Sequence, residues 1–198
     1  MILEHRGAAP AIDPSAYVAP TAVVCGDVRV GPEARILFGA VLTAEDGRIE
    51  VGARCVVMEN ALVRGRGRNP VVLGDDVLVG PHAHVNGATV GAGAFLATGT
   101  ALFPGARVGA RAEVRINGVV HVNSVLPDDG LVPIGWVAVG DPATVLPPDR
   151  HDEIWAIQEG LDFPGTVYGL ARSAPARERM ERQAAWFAAH RADCTIEP

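Results

Sequence analysis

Aliphatic residues recur with a period of six along most of the chain. They stand at Ile12, Val18, Val24, Val30, Ile36 and Leu42, then, after a short slip, at Val51, Val57 and Val63, and, after a loop and with one step of five, at Leu73, Val79, Val85, Val90, Leu96, Leu102, Val108, Val114 and Val120. An α-helix repeats near 3.6 residues and a simple strand repeats at two, so a period of six indicates short strands joined by tight corners.

Two further positions keep the same period. The residue after the aliphatic is often glycine, and the residue two before it is small, as Ala83 and Gly80 illustrate around Val85 and Val79. We expect glycine to supply positive φ at the corners and the small residue to leave room for the aliphatic inside. The pattern predicts an all-β solenoid, a parallel β-helix, with roughly seven triangular coils between residue 12 and about residue 148.

The remainder of the chain has a different composition and is expected to cover the solenoid. We divide the chain into a β-helix domain, 1–148, and a second part, 149–198, made of an extended segment and a helix that packs on the prism. Residues 151–172 carry large aromatic side chains. Ser173 is expected to cap the helix and Pro175 to occupy its first turn. The predicted apolar stripe of this helix consists of Met180, Gln183, Ala184 and Phe187.

Charge and composition exclude several functions. The net charge is −6, without a run of like charge, which argues against nucleic acid or a membrane surface as a partner. All 17 basic residues are arginine, so a Schiff-base lysine and a lysine-dependent phosphate loop are absent. Three cysteines without CxxC spacing, and no signal-like N-terminus, predict a reduced, cytoplasmic protein.

Specific segments resemble the gamma-class carbonic anhydrases, a family of hexapeptide-repeat, left-handed β-helix proteins. They are the five-residue step from Val85 to Val90, the loop RGRGRNP at 64–70, the segment LGDDVLVGPHAHVNGATVG and the closing VAVGDPA. The resemblance covers roughly residues 10–148. It implies a homotrimer with zinc between subunits, held by three histidines from two chains. The ending Gly140–Ala143 is also similar to that of hexapeptide acyltransferases, so it does not choose between the two families.

The sequence departs from the family at each implied zinc ligand. Those positions hold Arg64, Pro81 and Asn86. Arginine has no lone pair for a metal, proline has no side-chain donor, and one amide oxygen is a poor zinc ligand. Without zinc no hydroxide is generated near neutral pH, so we expect no metal cofactor and no hydration of carbon dioxide by the family's route. The resemblance also implies an arginine, an aspartate and a glutamine near the zinc. Those positions hold Thr43, Glu45 and Met58, and Glu59 is the residue after Met58.

Nearby histidines leave a zinc site with shifted ligands open as an alternative. His82 and His84 adjoin the replaced positions, and His121 has the same offset as Arg64 in its own repeat. Because one coil is three repeats, Arg64, Asn86, Phe103 and His121 should form a column on one face. Phe103 would then separate His121 from the site, and His121 is interpreted as a packed interface residue.

Arg64 suggests a different use of the pocket. A guanidinium where the family keeps a dication preserves positive charge and can bind a carboxylate with two parallel hydrogen bonds. We therefore predict a small anionic ligand at the subunit interface, bound by Arg64, Asn86 and Pro81. The candidate acid or base residues are His82, His84, Glu45 and Glu59. The competing interpretation is a structural ion pair of Arg64 with Glu45 or Glu59.

Three classes of function follow from the sequence. The first is a metal-independent lyase or transferase that acts on an anion. The second is a hexapeptide acyltransferase that uses acyl-CoA, and the third is a trimeric assembly module without chemistry. Arg66 and Arg68 would at most steer anions toward the site, and Asn117 and Asn123 are assigned to corners. His5, His151 and His190 are given no role.

Overall fold

A computed structural model describes residues 1–196 and shows a parallel β-solenoid of about eight turns with a short C-terminal helical region. This matches the left-handed β-helix of hexapeptide-repeat proteins and confirms the predicted fold class. Within the solenoid, strands pair in parallel with the strand one coil later, as Val24 does with Leu42 and Val85 with Leu102.

The strands are mostly two residues long, as a period of six requires. The first group is β1 (Ile2–Glu4), β2 (Ala11–Ile12), β3 (Tyr17–Val18), β4 (Val23–Val30), β5 (Arg35–Ile36), β6 (Val41–Val51), β7 (Val56–Val57), β8 (Leu62–Gly65) and β9 (Val71–Leu73). The second is β10 (Leu78–Val79), β11 (His84–Asn86), β12 (Thr89–Val90), β13 (Phe95–Leu96), β14 (Ala101–Leu102) and β15 (Arg107–Val108). The last is β16 (Glu113–Val114), β17 (Val119–Val120), β18 (Val125–Leu126), β19 (Leu131–Val132), β20 (Val137–Val139), β21 (Thr144–Leu146) and β22 (Cys194–Ile196).

Three faces make up the prism. Face 1 stacks β1, the first halves of β4 and β6, then β8, β11, β14, β17 and β20. Face 2 stacks β2, the second halves of β4 and β6, then β9, β12, β15 and β18. Face 3 stacks β3, β5, β7, β10, β13, β16 and β19. Long β4 and β6 join faces 1 and 2 through the corner where the sequence carries its insertions.

The repeat residues form one continuous core, as predicted. Leu42, Val63, Val85 and Leu102 point inward along face 1 and are 0–1% exposed. The small residues two positions earlier, such as Ala83, are buried as well. Burial of aliphatic side chains in one stack stabilises each coil only through its neighbours, which is typical of solenoids.

The repeat glycines serve a different purpose from the one expected. Gly80, Gly91 and Gly109 do not have positive φ, but a Cβ at these positions would lie 2.3–2.7 Å from backbone atoms of the next coil. Close approach of the coils therefore excludes a side chain there. Positive φ belongs instead to a later corner residue, which is often polar, as at Asn117 and Asn123. Both asparagines are thus corner residues, as predicted.

The C-terminal part is helical where an extended segment was predicted. Helices α1 (His151–Gln158) and α2 (Phe163–Tyr168) occupy most of residues 151–172, and a 3₁₀ turn, Glu159–Leu161, lies between them. Helix α3 (Ala176–Phe187) and a second 3₁₀ turn, Ala188–Ala192, lead to β22, which pairs antiparallel with β1. The chain therefore returns along face 1 to its first coil. In residues 1–196 no helix has the length and apolar character to cross a membrane.

Two details predicted for α3 are wrong. Pro175, not Ser173, is the N-cap residue, and no side chain among residues 1–196 caps the helix. Met180 is 56% exposed and Ala184 is exposed too, while Gln183 and Phe187 are half-buried together with Trp186. The buried stripe is rotated because Trp186 stacks under the guanidinium of Arg66, 3.7 Å from the ring centre.

The close approach of the coils can be tested at Gly109. Gly109→Ala would place a methyl group 2.3 Å from the backbone nitrogen of Asp128, so we expect the free energy of unfolding to fall by about 1–3 kcal/mol. Gly160→Ala, where nothing lies within 4 Å, is the matched control and should change it by less than about 1 kcal/mol. Urea unfolding of both variants measures this, and equal stabilities would contradict the packing argument.

Candidate functional site

The predicted column on face 1 is present. Thr43, Arg64 and Asn86 occupy matching positions in β6, β8 and β11, and Phe103 and His121 follow one coil apart. The rings of Phe103 and His121 stack with centres 5.7 Å apart. The column is fixed by parallel backbone pairing, so each side chain has the same two neighbours above and below.

The insertions create the edge on which Arg64 lies. In β6 and β8 the chain continues beyond the usual two residues, so that Ala44 pairs with Gly65. A Cβ at Gly65 would lie 2.1 Å from the carbonyl oxygen of Gly47, so glycine lets the two loops stack. The extension carries Glu45 and Arg66 outward, next to Arg64.

Arg64 lies beside a buried carboxylate without being its main partner. Its Nε is 4.0 Å from Glu45 Oε1, and the Glu45 side chain is only 2% exposed. Glu45 accepts hydrogen bonds from Thr43 Oγ1 at 3.0 Å and is 2.9 Å from Nε2 of His190. Arg64 Nε is buried and has no hydrogen-bond acceptor among residues 1–196. The guanidinium therefore keeps donors for another group.

His84 and Asn86 carry unsatisfied atoms as well. Within the described chain, His84 Nε2 and Asn86 Oδ1 are buried without a hydrogen-bond partner. Burial and the positive charge of Arg64 lower the pKa of His84 below its ordinary value. His84 is thus a neutral imidazole near pH 7, able to accept a proton.

The other predicted site residues lie elsewhere on the chain. Pro81 and His82 form the corner before β11, at the opposite end of this strand from Asn86, and His82 is exposed with a φ of 57°. The His82 N–H donates to the carbonyl oxygen of Glu59, which lies in the corner one coil earlier, at 3.0 Å. A single chain therefore unites Arg64, His84, Asn86 and Glu45, but not Pro81, His82 or Glu59.

Aromatic residues close the lower part of the column. Phe163 from α2 packs against both Phe103 and His121, with ring centres 5.9 and 5.8 Å apart. Burial lowers the pKa of His121, and its Nδ1 has no partner within residues 1–196. His121 is thus a packed histidine, held here by the chain's own tail.

The sequence analysis missed a cluster that the tail builds above Arg64. His5, Cys25, His190 and Asp193, here called the tail cluster, bring their ligand-type atoms within 4.8 Å of one another. Asp193 is 2.6 Å from Nδ1 of His5 and 2.8 Å from Nδ1 of His190. The histidine rings stack with centres 4.4 Å apart. Three of these residues, together with Glu45 and Arg64, line a cavity of about 350 Å³.

Burial and hydrogen bonding set the protonation states in the tail cluster. Burial and the nearby carboxylate of Asp193 raise the pKa of the Cys25 thiol to about 12. Burial opposes the charge on His190, but hydrogen bonds to Asp193 and Glu45 outweigh it and raise the pKa of His190. Both carboxylates thus favour the charged form of His190, and Glu45 has hydrogen-bond partners other than Arg64.

No periodic signal in the sequence marks the tail cluster. Pairing of Leu3 with Cys25 brings His5 toward the first coils, and pairing of Glu4 with Cys194 brings Asp193 to them. Both pairings join distant segments outside the hexapeptide repeat. Only the presence of two histidines and an aspartate among non-repeat residues could have hinted at the tail cluster.

The zinc site implied by the family does not fit these residues. At the three positions where the resemblance places the zinc ligands stand a guanidinium, a proline ring and an amide whose oxygen is buried. Arg64 would place a positive charge where the resemblance expects the dication.

Comparisons with known proteins agree with this fold and with the family resemblance. No protein-family model matches the sequence. The chain is 31% identical to a protein named gamma carbonic anhydrase 1, mitochondrial, of Arabidopsis thaliana, over 76% of this chain and 55% of that protein. It is 28% identical to a carbonic anhydrase of Geobacillus kaustophilus over 55% of this chain and 60% of the relative. The chain thus spans about half the length of the plant relative.

Solved structures extend the comparison to transferases. A hexapeptide transferase family protein from Anaplasma phagocytophilum is 26% identical with a TM-score of 0.51, over 82% of this chain and 92% of that one. A putative acetyltransferase from Bacillus cereus gives a TM-score of 0.54 at 22% identity, over 96% and 92% of the two chains. The second likeness concerns the fold alone.

The state of His84 can be measured by NMR titration. We expect its pKa below the ordinary value for histidine, because burial and Arg64 both disfavour the charged ring. Arg64→Gln should raise the pKa of His84 toward its ordinary value by removing one of these two causes. The lowered pKa also implies that the folded state is favoured above about pH 6.5 and loses this stability as the pH falls toward the folded-state pKa of His84. A His84 that titrates at the ordinary value for histidine would contradict this environment.

Proposed function

Because the chain is a hexapeptide-repeat protein similar to the gamma-class carbonic anhydrases over three quarters of its length, we propose that it is a homotrimer that binds a small carboxylate at Arg64 without a metal. The proposal includes loss of the zinc-dependent hydration of carbon dioxide. The chain keeps the scaffold of the relatives but not the residues that a zinc ion between subunits would need.

One observation carries the proposal of an anion site. Arg64 Nε, His84 Nε2 and Asn86 Oδ1 are all buried and unsatisfied within residues 1–196, and Arg64 and Asn86 are direct neighbours in register. Buried polar atoms without partners are costly, so a group that satisfies them should bind there. A carboxylate fits the donors of Arg64, and a hydroxyl or amide on the same ligand fits Asn86.

The local charges favour an added anion. His190, whose pKa is raised, and Thr43 already hydrogen-bond to the buried Glu45. The Arg64 guanidinium is left with a distant ion pair and with the face of Phe187, 5.7 Å away. Within one chain, a structural role of Arg64 would require a close ion pair with Glu45, and the 4.0 Å separation argues against it. An ion pair between subunits stays the competing interpretation.

His84 is the proposed general base. Its neutral ring and free Nε2 allow it to take a proton from a bound molecule. His82 and Glu59 lie in two stacked corners away from Arg64, so in this proposal they take part only if a neighbouring subunit brings them to the site. In this proposal Glu45 hydrogen-bonds to Thr43 and His190 and does not contact the ligand.

The proposed trimer has an apolar surface to bury. On face 1 the outward residues at the start of each strand are Val23, Val41, Leu62, His84, Ala101 and Val119. All are half-buried, and His84 is the one polar side chain in this row. Apolar area on an outer solenoid face is protected when subunits pack against it. The mass of the particle in solution, measured by light scattering, should be three times that of the chain.

Anion binding can be tested by calorimetry. Metal-free protein is titrated with acetate, succinate and citrate, and with acetamide as an uncharged control. We expect at least one carboxylate to bind, and Arg64→Ala to weaken it by at least about tenfold, because charge-assisted hydrogen bonds are lost.

Arg68→Ala is the matched control, since Arg68 is exposed on the same loop and should leave the affinity unchanged. If no carboxylate binds at millimolar concentration, or if Arg64→Ala binds as tightly as the parent, the anion proposal fails. Circular dichroism verifies that each variant is folded.

The acyltransferase alternative rests on the likeness to the Anaplasma hexapeptide transferase family protein. Titration with acetyl-CoA in the same instrument tests it directly. Binding of acetyl-CoA that survives Arg64→Ala, with no carboxylate binding, would favour the acyltransferase over the proposed anion site. The cytoplasmic location stays a prediction, while the plant relative is named mitochondrial.

A further inference from the structure

We propose that the tail cluster, His5, Cys25, His190 and Asp193, is a zinc site that fixes the C-terminal end of the chain to the first coils. The four ligand-type atoms lie within 4.8 Å of one another, although they come from three separate segments of the chain. His5 follows β1, Cys25 lies in β4, His190 lies in the last 3₁₀ turn and Asp193 precedes β22. Assembly of such atoms from distant segments is typical of a built site.

The donor chemistry suits zinc. Two imidazoles, one thiolate and one carboxylate make a four-coordinate set of the kind that zinc prefers over magnesium or calcium. With both imidazoles neutral, the thiolate and the carboxylate together balance a dication, so the loaded site has no net charge. This balance matters because the side chain of His5 is fully buried and that of Asp193 is only 13% exposed.

The surroundings would orient the ligands. His190 presents Nδ1 to the tail cluster, while its Nε2 lies 2.9 Å from Glu45 Oε2, which is the carboxylate–histidine arrangement of many zinc sites. Glu45 is held in turn by Thr43. His5 also presents Nδ1, and its Nε2 accepts a hydrogen bond from Arg6 at 3.2 Å.

Binding an ion requires small local changes. Asp193 now lies 2.6 and 2.8 Å from the two histidine Nδ1 atoms and 3.6 Å from Cys25 Sγ. Ligand atoms about 2.0–2.3 Å from a tetrahedral zinc are roughly 3.3–3.8 Å apart, so the carboxylate must move outward by about 1 Å. The thiol releases its proton to solvent, and so does the charged form of His190 from its Nδ1, so that each histidine then carries one proton, on Nε2. The exposed side chain of Arg6 then turns away from His5.

This zinc site is distinct from the one that the family implies. Arg64, Pro81 and Asn86 are not members of the tail cluster, and the metal is assigned to holding the tail, not to chemistry. The inference goes beyond the proposed function, because the anion site can fail while the metal site stands, and the reverse also holds.

The experiment uses the full untagged chain. It is incubated with zinc, dialysed and analysed for metal, and cobalt is substituted to record the thiolate-to-cobalt absorption band. We expect one zinc per chain, a cobalt band that disappears in Cys25→Ser, and affinity lowered by at least about tenfold in His190→Ala. Cys194→Ser is the matched control, because Cys194 is exposed outside the tail cluster and should keep the band.

Each other outcome overturns the inference. Absence of stoichiometric zinc after loading would show that the tail cluster is a hydrogen-bonded lock only. Zinc that survives Cys25→Ser but is lost in His84→Ala would place the ion at shifted family positions. Asp193→Asn keeps the shape of the side chain but removes a proposed ligand, so zinc affinity should fall in this variant as well. Circular dichroism verifies that each variant that has lost zinc is still folded.

Discussion

The stacking of each coil directly on the next is the constraint on which the rest of the molecule depends. Parallel pairing sets the register, so that Val63, Val85 and Leu102 stand in line inside the prism. The coils approach so closely that no Cβ fits at Gly80 or Gly109. Because the backbone positions are fixed by this stacking, the chemistry of an outward position depends only on which residue stands there. Arg64 and Asn86 hold their places beside each other through this register.

The tail gives the candidate site the groups that the repeat cannot supply. Face 1 offers the column of Arg64 and Asn86, and the returning chain adds His190 and Phe187 around the same cavity. Pairing of β22 with β1 holds this arrangement at one end, and Phe163 holds it at the other. The candidate site is therefore formed by two parts of the chain: face 1 of the solenoid and the C-terminal segment that packs over it.

Sequence reasoning was strong where the period of six applies and weak outside it. The period predicted the fold, the buried positions and the column that contains Arg64 and His121. It could do so because backbone pairing places residues that are one coil apart in the sequence next to each other in space. It could not predict which side of α3 faces the prism, since Trp186 stacks on Arg66 and rotates the helix. It also missed the contact of Glu45 with His190, because pairing of remote segments leaves no periodic trace.

The aromatic stack beneath Asn86 gives the column a closed end. Phe103, His121 and Phe163 fill the space below, whereas the cavity opens upward past Thr43 toward Cys25. Successive coils are about 4.8 Å apart, so neighbouring side chains of the column are separated by about that distance. A ligand of the proposed site, bound between Arg64 and Asn86, would therefore find room toward Cys25 but not past Phe103. The position of the tail would then limit the length of the molecules that the site accepts.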